Sequence, residues 1–172
     1  INPWNVPFSM AVTKLAPALA AGCSVVMKPA ELTSLSALRL AELIQEAGFP
    51  DGLINVVTGY GHEVGQALVE HPSINKVAFT GSTATGKEIM RASAERMTRV
   101  TMELGGKAPV LILDDADIEK AGTAAARSLF GNSSQACTAG SRIYIDKKVA
   151  EPVMERIVEY AKSLKVGDPF DD

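Results

Sequence analysis

The residues best equipped to do chemistry stand in four short stretches. The first is Phe79-Thr80-Gly81-Ser82-Thr83-Ala84-Thr85-Gly86-Lys87-Glu88. Its glycines allow close backbone approach, and it leads from an apolar run into a helical one, where the first amides of a helix favour phosphate. The spacing Gly81-x-x-x-x-Gly86-Lys87 nearly matches the phosphate loop of nucleotide triphosphatases. Val110-Leu111-Ile112-Leu113-Asp114-Asp115 even has the form of their Mg²⁺-binding strand end. Glu88 breaks that match, because it puts a carboxylate where a metal-binding hydroxyl belongs. A plain turn of small residues is the third reading.

The second stretch, Asn132-Ser133-Ser134-Gln135-Ala136-Cys137-Thr138-Ala139-Gly140, is small and polar. A cysteine nucleophile needs access and a lowered pKa; otherwise it is a small filler. Cys137 is expected to be more reachable than Cys23, which begins an apolar strand. No His–Asn or His–Asp pattern accompanies it, so a papain-like hydrolase has little support. The third stretch, Met102-Glu103-Leu104-Gly105-Gly106-Lys107, ends a strand in a carboxylate. Held against apolar neighbours, Glu103 could serve as a general base; the other reading is a solvated acid at a strand end. The fourth is Asn2-Pro3-Trp4-Asn5-Val6-Pro7, in which Asn5 is a helix cap or a donor to an oxyanion.

Such residues need a scaffold that sets strand ends beside helix starts, and the chain has that alternation. Apolar, β-branched runs at 23–28, 53–57, 76–79, 99–104, 109–113 and 142–145 predict strands. Helical spacing predicts helices over 7–20, 34–47, 62–70, 83–94, 116–130 and 148–164. Within 34–47, Leu35, Leu38, Leu40, Leu43 and Ile44 mark the apolar stripe, and Gly48 with Pro50 stops it. The fold class is therefore α/β: right-handed βαβ units building a Rossmann-like parallel sheet covered on both faces by helices. Such sheets bind ligands at the carboxyl ends of their strands. Gly105-Gly106 marks a break between a unit over 1–105 and another over 106–172.

The 172 residues, 47% hydrophobic and 22% charged, suffice for a folded core. A net charge of −3 without a basic run argues against nucleic-acid binding. No apolar stretch approaches the ~18 residues of a membrane span. Two cysteines make no disulfide framework, and free thiols suit a reducing compartment such as the cytoplasm. His62 and His71 lie near no cysteine cluster, so no metal site is expected. The chain opens at Ile1 and closes on Gly167-Asp168-Pro169-Phe170-Asp171-Asp172, which suggests an internal piece of something longer.

Taken in order, Pro3-Trp4-Asn5, Lys28-Pro29-Ala30-Glu31, Phe79-Thr80-Gly81-Ser82 with Gly86, Glu103-Leu104-Gly105-Gly106-Lys107 and Gln135-x-Cys137 resemble the aldehyde dehydrogenase superfamily. The resemblance covers essentially the whole chain. It implies an NAD(P)-dependent oxidation of an aldehyde to a carboxylic acid. Cys137 would be the nucleophile, forming a thiohemiacetal and then a thioester. Asn5 and the Cys137 amide would hold the oxyanion, Glu103 would activate water, and Lys14 would relay protons. Lys28 and Glu31 would contact the adenosine ribose, Gly81 and Ser82 the pyrophosphate, and Leu104 and Gly105 the nicotinamide end. Trp4, Gly61 and Gly86 complete the implied cofactor contacts. Glu31 would repel a 2′-phosphate, which favours NAD, with NADP as the alternative.

The resemblance also makes 1–105 a partial cofactor-binding domain and 106–172 the start of a catalytic domain. The parent would be a homo-oligomer, dimer or tetramer, acting on a small aldehyde. Ser134 stands where the family has Gly, which a loop with φ below zero accommodates. The family's later Glu-x-Phe-Gly-Pro segment, which supports the nicotinamide ribose, has no counterpart here, so the 172 residues alone are expected not to turn over. The competing readings are a phosphate-loop triphosphatase and a non-catalytic binding protein built on the same fold.

Overall fold

The structure, a computed structural model, describes residues 1–168 and Phe170; Pro169, Asp171 and Asp172, at the end of the second expected unit, lie outside the described residues. The chain divides into two compact units, Ile1–Leu104 and Gly105–Asp172.

The first unit begins with helix α1, Pro7–Ala20, which carries Pro7 in its first turn, where a missing amide does no harm. Gly22 takes φ +74° just beyond α1, and Cys23 N–H reaches back to Ala18 O at 2.9 Å, closing the helix with a left-handed residue. The parallel strands β1, Val25–Met27, and β2, Ile54–Val56, flank the crossover helix α2, Leu35–Glu46. Ala11, Leu15, Met27 and Ala37 form their core. Cys23 stands ahead of β1 and is exposed, contrary to its expected place in an apolar strand. The strand is shorter than the apolar run because only Val25–Met27 finds partners.

The predicted helix over 62–70 is two pieces: a wide turn at Gly61–Gly65, then α3, Gln66–Glu70. Next come β3, Lys76–Gly81, α4, Thr83–Ala94, and β4, Arg99–Leu104, with β3 and β4 parallel over six residues. Val69, Val77, Phe79 and Ile89 form the second core, and Met102 and Leu104 pack against it. Because strand side chains alternate, burying Val77 and Phe79 turns Thr80 to the opposite face, and its register partner Glu103 with it.

In the second unit, β5, Pro109–Ile112, pairs parallel with β6, Arg142–Ile145, around α5, Ile118–Phe130; α6, Ala150–Ser163, follows. Asp117 caps α5 by accepting from Lys120 N–H at 3.1 Å. Ala125 and Ala126 of α5 and Val153 and Ile157 of α6 share one core with Ile112. The two helices thus cover one face of the ladder; on the other, the register partners Leu111 and Tyr144 are 67% and 55% exposed. Among the described residues the three strand pairs are all parallel, each a separate two-stranded ladder. Among the described residues no helix is long and apolar enough to cross a membrane.

Candidate functional site

In the first unit, three residues far apart in sequence meet. Lys14, one turn beyond Met10 on α1, donates from Nζ to Thr80 Oγ1 at 2.6 Å. Thr80 is the register partner of Glu103, at the carboxyl ends of their strands. Burial holds the Lys14 ammonium below its ordinary pKa, and the Glu103 carboxylate opposes that shift. Glu103 itself is exposed, so it is the strand-end acid facing solvent rather than a carboxyl packed in apolar side chains. Sequence reasoning named Lys14, Thr80 and Glu103 but not the contact among them, because 66 residues separate Lys14 from Thr80.

A second cluster follows β1. Lys28 is almost fully buried, and its Nζ donates to Pro29 O at 3.0 Å and to Glu31 Oε2 at 3.5 Å. Glu31 opens a single helical turn, Glu31–Thr33. Its own backbone N–H, then Lys28 and His62, hold its carboxyl below the usual carboxylate range, although partial burial opposes them. Asn2, also buried, ties this point down: its N–H donates to Lys28 O at 2.9 Å and its Nδ2 to Met27 Sδ at 3.1 Å. Gly61 begins the wide turn and is exposed. Trp4 is half exposed and Asn5 half buried, ahead of α1. The cap of α1 is Val6, without a side-chain hydrogen bond, so Asn5 does not occupy the cap position.

The glycine-bearing stretch is a strand, one linking residue and a helix. Ser82 caps α4: its Oγ accepts from Thr85 N–H at 3.1 Å, and its carbonyl accepts from Gly86 N–H at 2.9 Å. The amides of Thr83 and Ala84 remain as the first-turn donors that an anion could take. A Cβ at Gly81 would come within 2.5 Å of the Phe79 ring, and one at Gly86 within 2.8 Å of Leu104 Cδ2. Gly86 therefore serves the packing of α4 on Leu104, which is also the register partner of Gly81. Gly105 is exposed just beyond. The triphosphatase reading fails here on geometry. A phosphate loop wraps its ligand with unpaired amides ahead of the lysine, whereas Thr83–Lys87 is already α-helix and the Gly86 amide is bonded to Ser82.

In the second unit, Cys137 and Thr138 are the central residues of a turn closed by Ala139 N–H to Ala136 O at 3.1 Å. Cys137 is exposed, but so is Cys23, so exposure does not separate the two thiols as expected. Before the turn, Asn132, Ser133 and Ser134 take φ of +50°, +53° and +62°. Ser134 thus lies in the left-handed region, not at the negative φ expected of it. Its hydroxyl donates to Leu129 O, which helps hold this conformation that favours glycine. Beyond the turn, Gly140 N–H donates to Ser128 Oγ at 3.1 Å, and a Cβ at Gly140 would lie 2.5 Å from Val110 Cγ2. The cysteine loop is thereby anchored on α5 and β5.

Comparison with known proteins adds four findings. A sequence profile described as the aldehyde dehydrogenase family matches residues 1–172. The chain is 46% identical to aminoaldehyde dehydrogenase 2, peroxisomal, of Malus domestica, over all of this chain and 34% of that one. Among solved structures it is similar to the NAD⁺ complex of aldehyde dehydrogenase from Bacillus cereus, with a TM-score of 0.96 and 50% identity over 99% of this chain and 35% of that one. It is also similar to an E. coli NADP-dependent enzyme, with a TM-score of 0.97 and 43% identity over 99% of this chain and 36% of that one. The chain spans about a third of the length of the relatives it matches.

Proposed function

We propose that this chain, which belongs to the aldehyde dehydrogenase family, supplies a longer enzyme with the nucleophile, the base and much of the cofactor site for oxidising an aldehyde to a carboxylic acid. The observation that carries this is Glu103 at the exposed end of β4, in register with the threonine that Lys14 grips. Exposure gives this carboxylate access to water, the first need of a general base, while the apolar packing expected around it is not seen. Residues 1–105 form the NAD-binding domain in this reading, and 106–172 begin the catalytic domain.

The residues present fit a dinucleotide. Glu31 offers an exposed carboxylate that can accept both hydroxyls of a ribose, and Lys28 sets a cation beside it. The capped start of α4, with Gly81 and Ser82, suits a pyrophosphate. Trp4, Gly61, Gly86, Leu104 and Gly105 complete the set. The negative charge of Glu31 favours NAD over NADP. When bound, the nicotinamide supplies a hydride acceptor.

The chain's own groups do the rest. Cys137 Sγ, as thiolate, forms a bond to the aldehyde carbon, and the oxygen takes the charge, held by Asn5 and the Cys137 amide. After oxidation the carbon remains on sulfur as a thioester. Glu103 takes a proton from water, whose oxygen attacks that carbon; the acid leaves and the thiolate returns. Lys14, reaching Thr80, helps position protons near Glu103. The whole enzyme is read as a cytoplasmic homo-oligomer, the free thiols supporting a reducing compartment.

The test is burst kinetics on the full-length enzyme. Cys137→Ala should abolish both burst and turnover. Glu103→Gln should keep a burst of reduced cofactor near one per active site while steady turnover falls by about 10²–10⁴. Turnover that survives Cys137→Ala sinks the mechanism. The isolated 172 residues should show no turnover.

A further inference from the structure

The dipeptide Ile1-Asn2 bridges the two ladders of the first unit. Ile1 N donates to Ala78 O at 2.8 Å and Ile1 O accepts from Thr80 N–H at 3.2 Å, while Asn2 N–H donates to Lys28 O at 2.9 Å. It thereby joins the end of β3, where Lys14 grips Thr80, to the end of β1, where Lys28 reaches Glu31. Ile1 packs on the core of Val77 and Phe79, so alternation turns Asn2 the other way, onto Met27. Asn2 is only 4% exposed there, yet its amide is poorly satisfied. Nδ2 donates to the Met27 sulfur at 3.1 Å, a weak acceptor, and Oδ1 has no hydrogen-bond partner among the described residues. A buried amide so placed costs stability that an apolar residue of the same shape would not. Stability therefore gives no reason for an amide here.

We propose that Asn2 is a positioning residue for the cofactor, acting through Lys28, whose ammonium it holds beside the Glu31 carboxylate. The inference rests on the dinucleotide reading above. Two bonds from one residue, the backbone N–H to Lys28 O and the side chain to Met27 Sδ, fix consecutive residues at the end of β1. From that backbone the buried Lys28 carries Nζ to Pro29 O at 3.0 Å and to Glu31 Oε2 at 3.5 Å. Glu31 is the acceptor for the ribose hydroxyls in this reading. A Lys28 free to shift leaves that pair less preorganised, which weakens the cofactor and spares the chemistry. The side-chain bond is a neutral one, so its loss should cost about three- to ten-fold in affinity.

The experiment measures Kd for NAD⁺ by calorimetry, kcat at saturating NAD⁺ and the melting temperature, all on the full-length enzyme. Asn2→Leu keeps the branched shape and removes both polar ends. Its Kd should rise about three- to ten-fold, with kcat within about two-fold of wild type and a melting temperature no lower. Met27→Leu removes only the sulfur acceptor and should weaken NAD⁺ to the same extent; it carries the decision if Asn2→Leu fails to fold. In a Lys28→Met background Asn2→Leu should add no further loss, because the two changes act on one path. An unchanged Kd in the folded variants overturns the inference. So does a loss that persists in full in the Lys28→Met background, or one that comes with a lower melting temperature, which assigns Asn2 to packing alone. Each of these leaves the proposed function standing. If wild type does not bind NAD⁺, the dinucleotide reading falls and the inference with it.

Discussion

Lys14 Nζ and Thr80 Oγ1 are 2.6 Å apart, which couples α1 to the carboxyl end of β3. Thr80 is the register partner of Glu103, so its hydroxyl ties the ammonium to the strand paired with the one that carries the candidate base. Thr80→Val keeps the shape and removes the acceptor. It should destabilise the protein by about 1.5–3 kcal/mol, the range for a hydrogen bond to a charged group. Most of that loss should vanish in a Lys14→Met background, since the two changes delete one interaction. Urea unfolding of the four proteins in the cycle measures it, and simple additivity would show that the contact contributes nothing.

The same lysine gives a pH dependence of definite sign. Burial, the larger influence, lowers the Lys14 pKa from 10.5. The folded state therefore binds fewer protons than the unfolded state in the window just below 10.5, so the Lys14 contribution to stability rises with pH through that window. The stability of wild type minus that of Lys14→Met should accordingly increase between about pH 8 and about pH 10. A difference that falls over this range contradicts the burial of the ammonium.

Asn5 lies half buried ahead of the α1 cap, close enough in sequence for α1 to fix its backbone. In its proposed role as oxyanion donor it would act on charge that develops during reaction. Asn5→Ala should thus lower kcat of the full-length enzyme by about 10²–10³ with a much smaller effect on KM. A loss confined to KM would assign Asn5 to ground-state binding instead.

Met97 offers a stability gain unrelated to chemistry. It follows α4 with φ +53°, its side chain is 90% exposed, and the Thr98 amide reaches Ser93 O at 3.0 Å in the pattern that favours glycine at this position. Met97→Gly relieves the left-handed strain, about 1–2 kcal/mol. The greater freedom of glycine in the unfolded chain offsets about half of that. A net gain of about 0.5–1 kcal/mol follows, or a melting point higher by about 1–4 °C. An unchanged or lower melting point would place the strain elsewhere.

Much of this protein is legible in its residues alone. Periodicity over Leu35–Glu46, with Gly48 and Pro50 beyond, placed α2 closely, and the apolar run at β5 with the stripe of α5 set a βαβ unit, because these signals lie among residues a few positions apart. The helical spacing from Thr83 likewise placed the start of α4. Sequence could not place Cys23 in solvent, since a short apolar run does not say which of its members will find a partner strand. Nor could it set Ser134 in the left-handed region, a choice made by the bond to Leu129 O and by neighbours that fix the loop. The meeting of Lys14, Thr80 and Glu103 belongs wholly to tertiary structure. It depends on the β3–β4 register and on how α1 lies over it, and a shift of one residue in that register would turn Glu103 to the buried face.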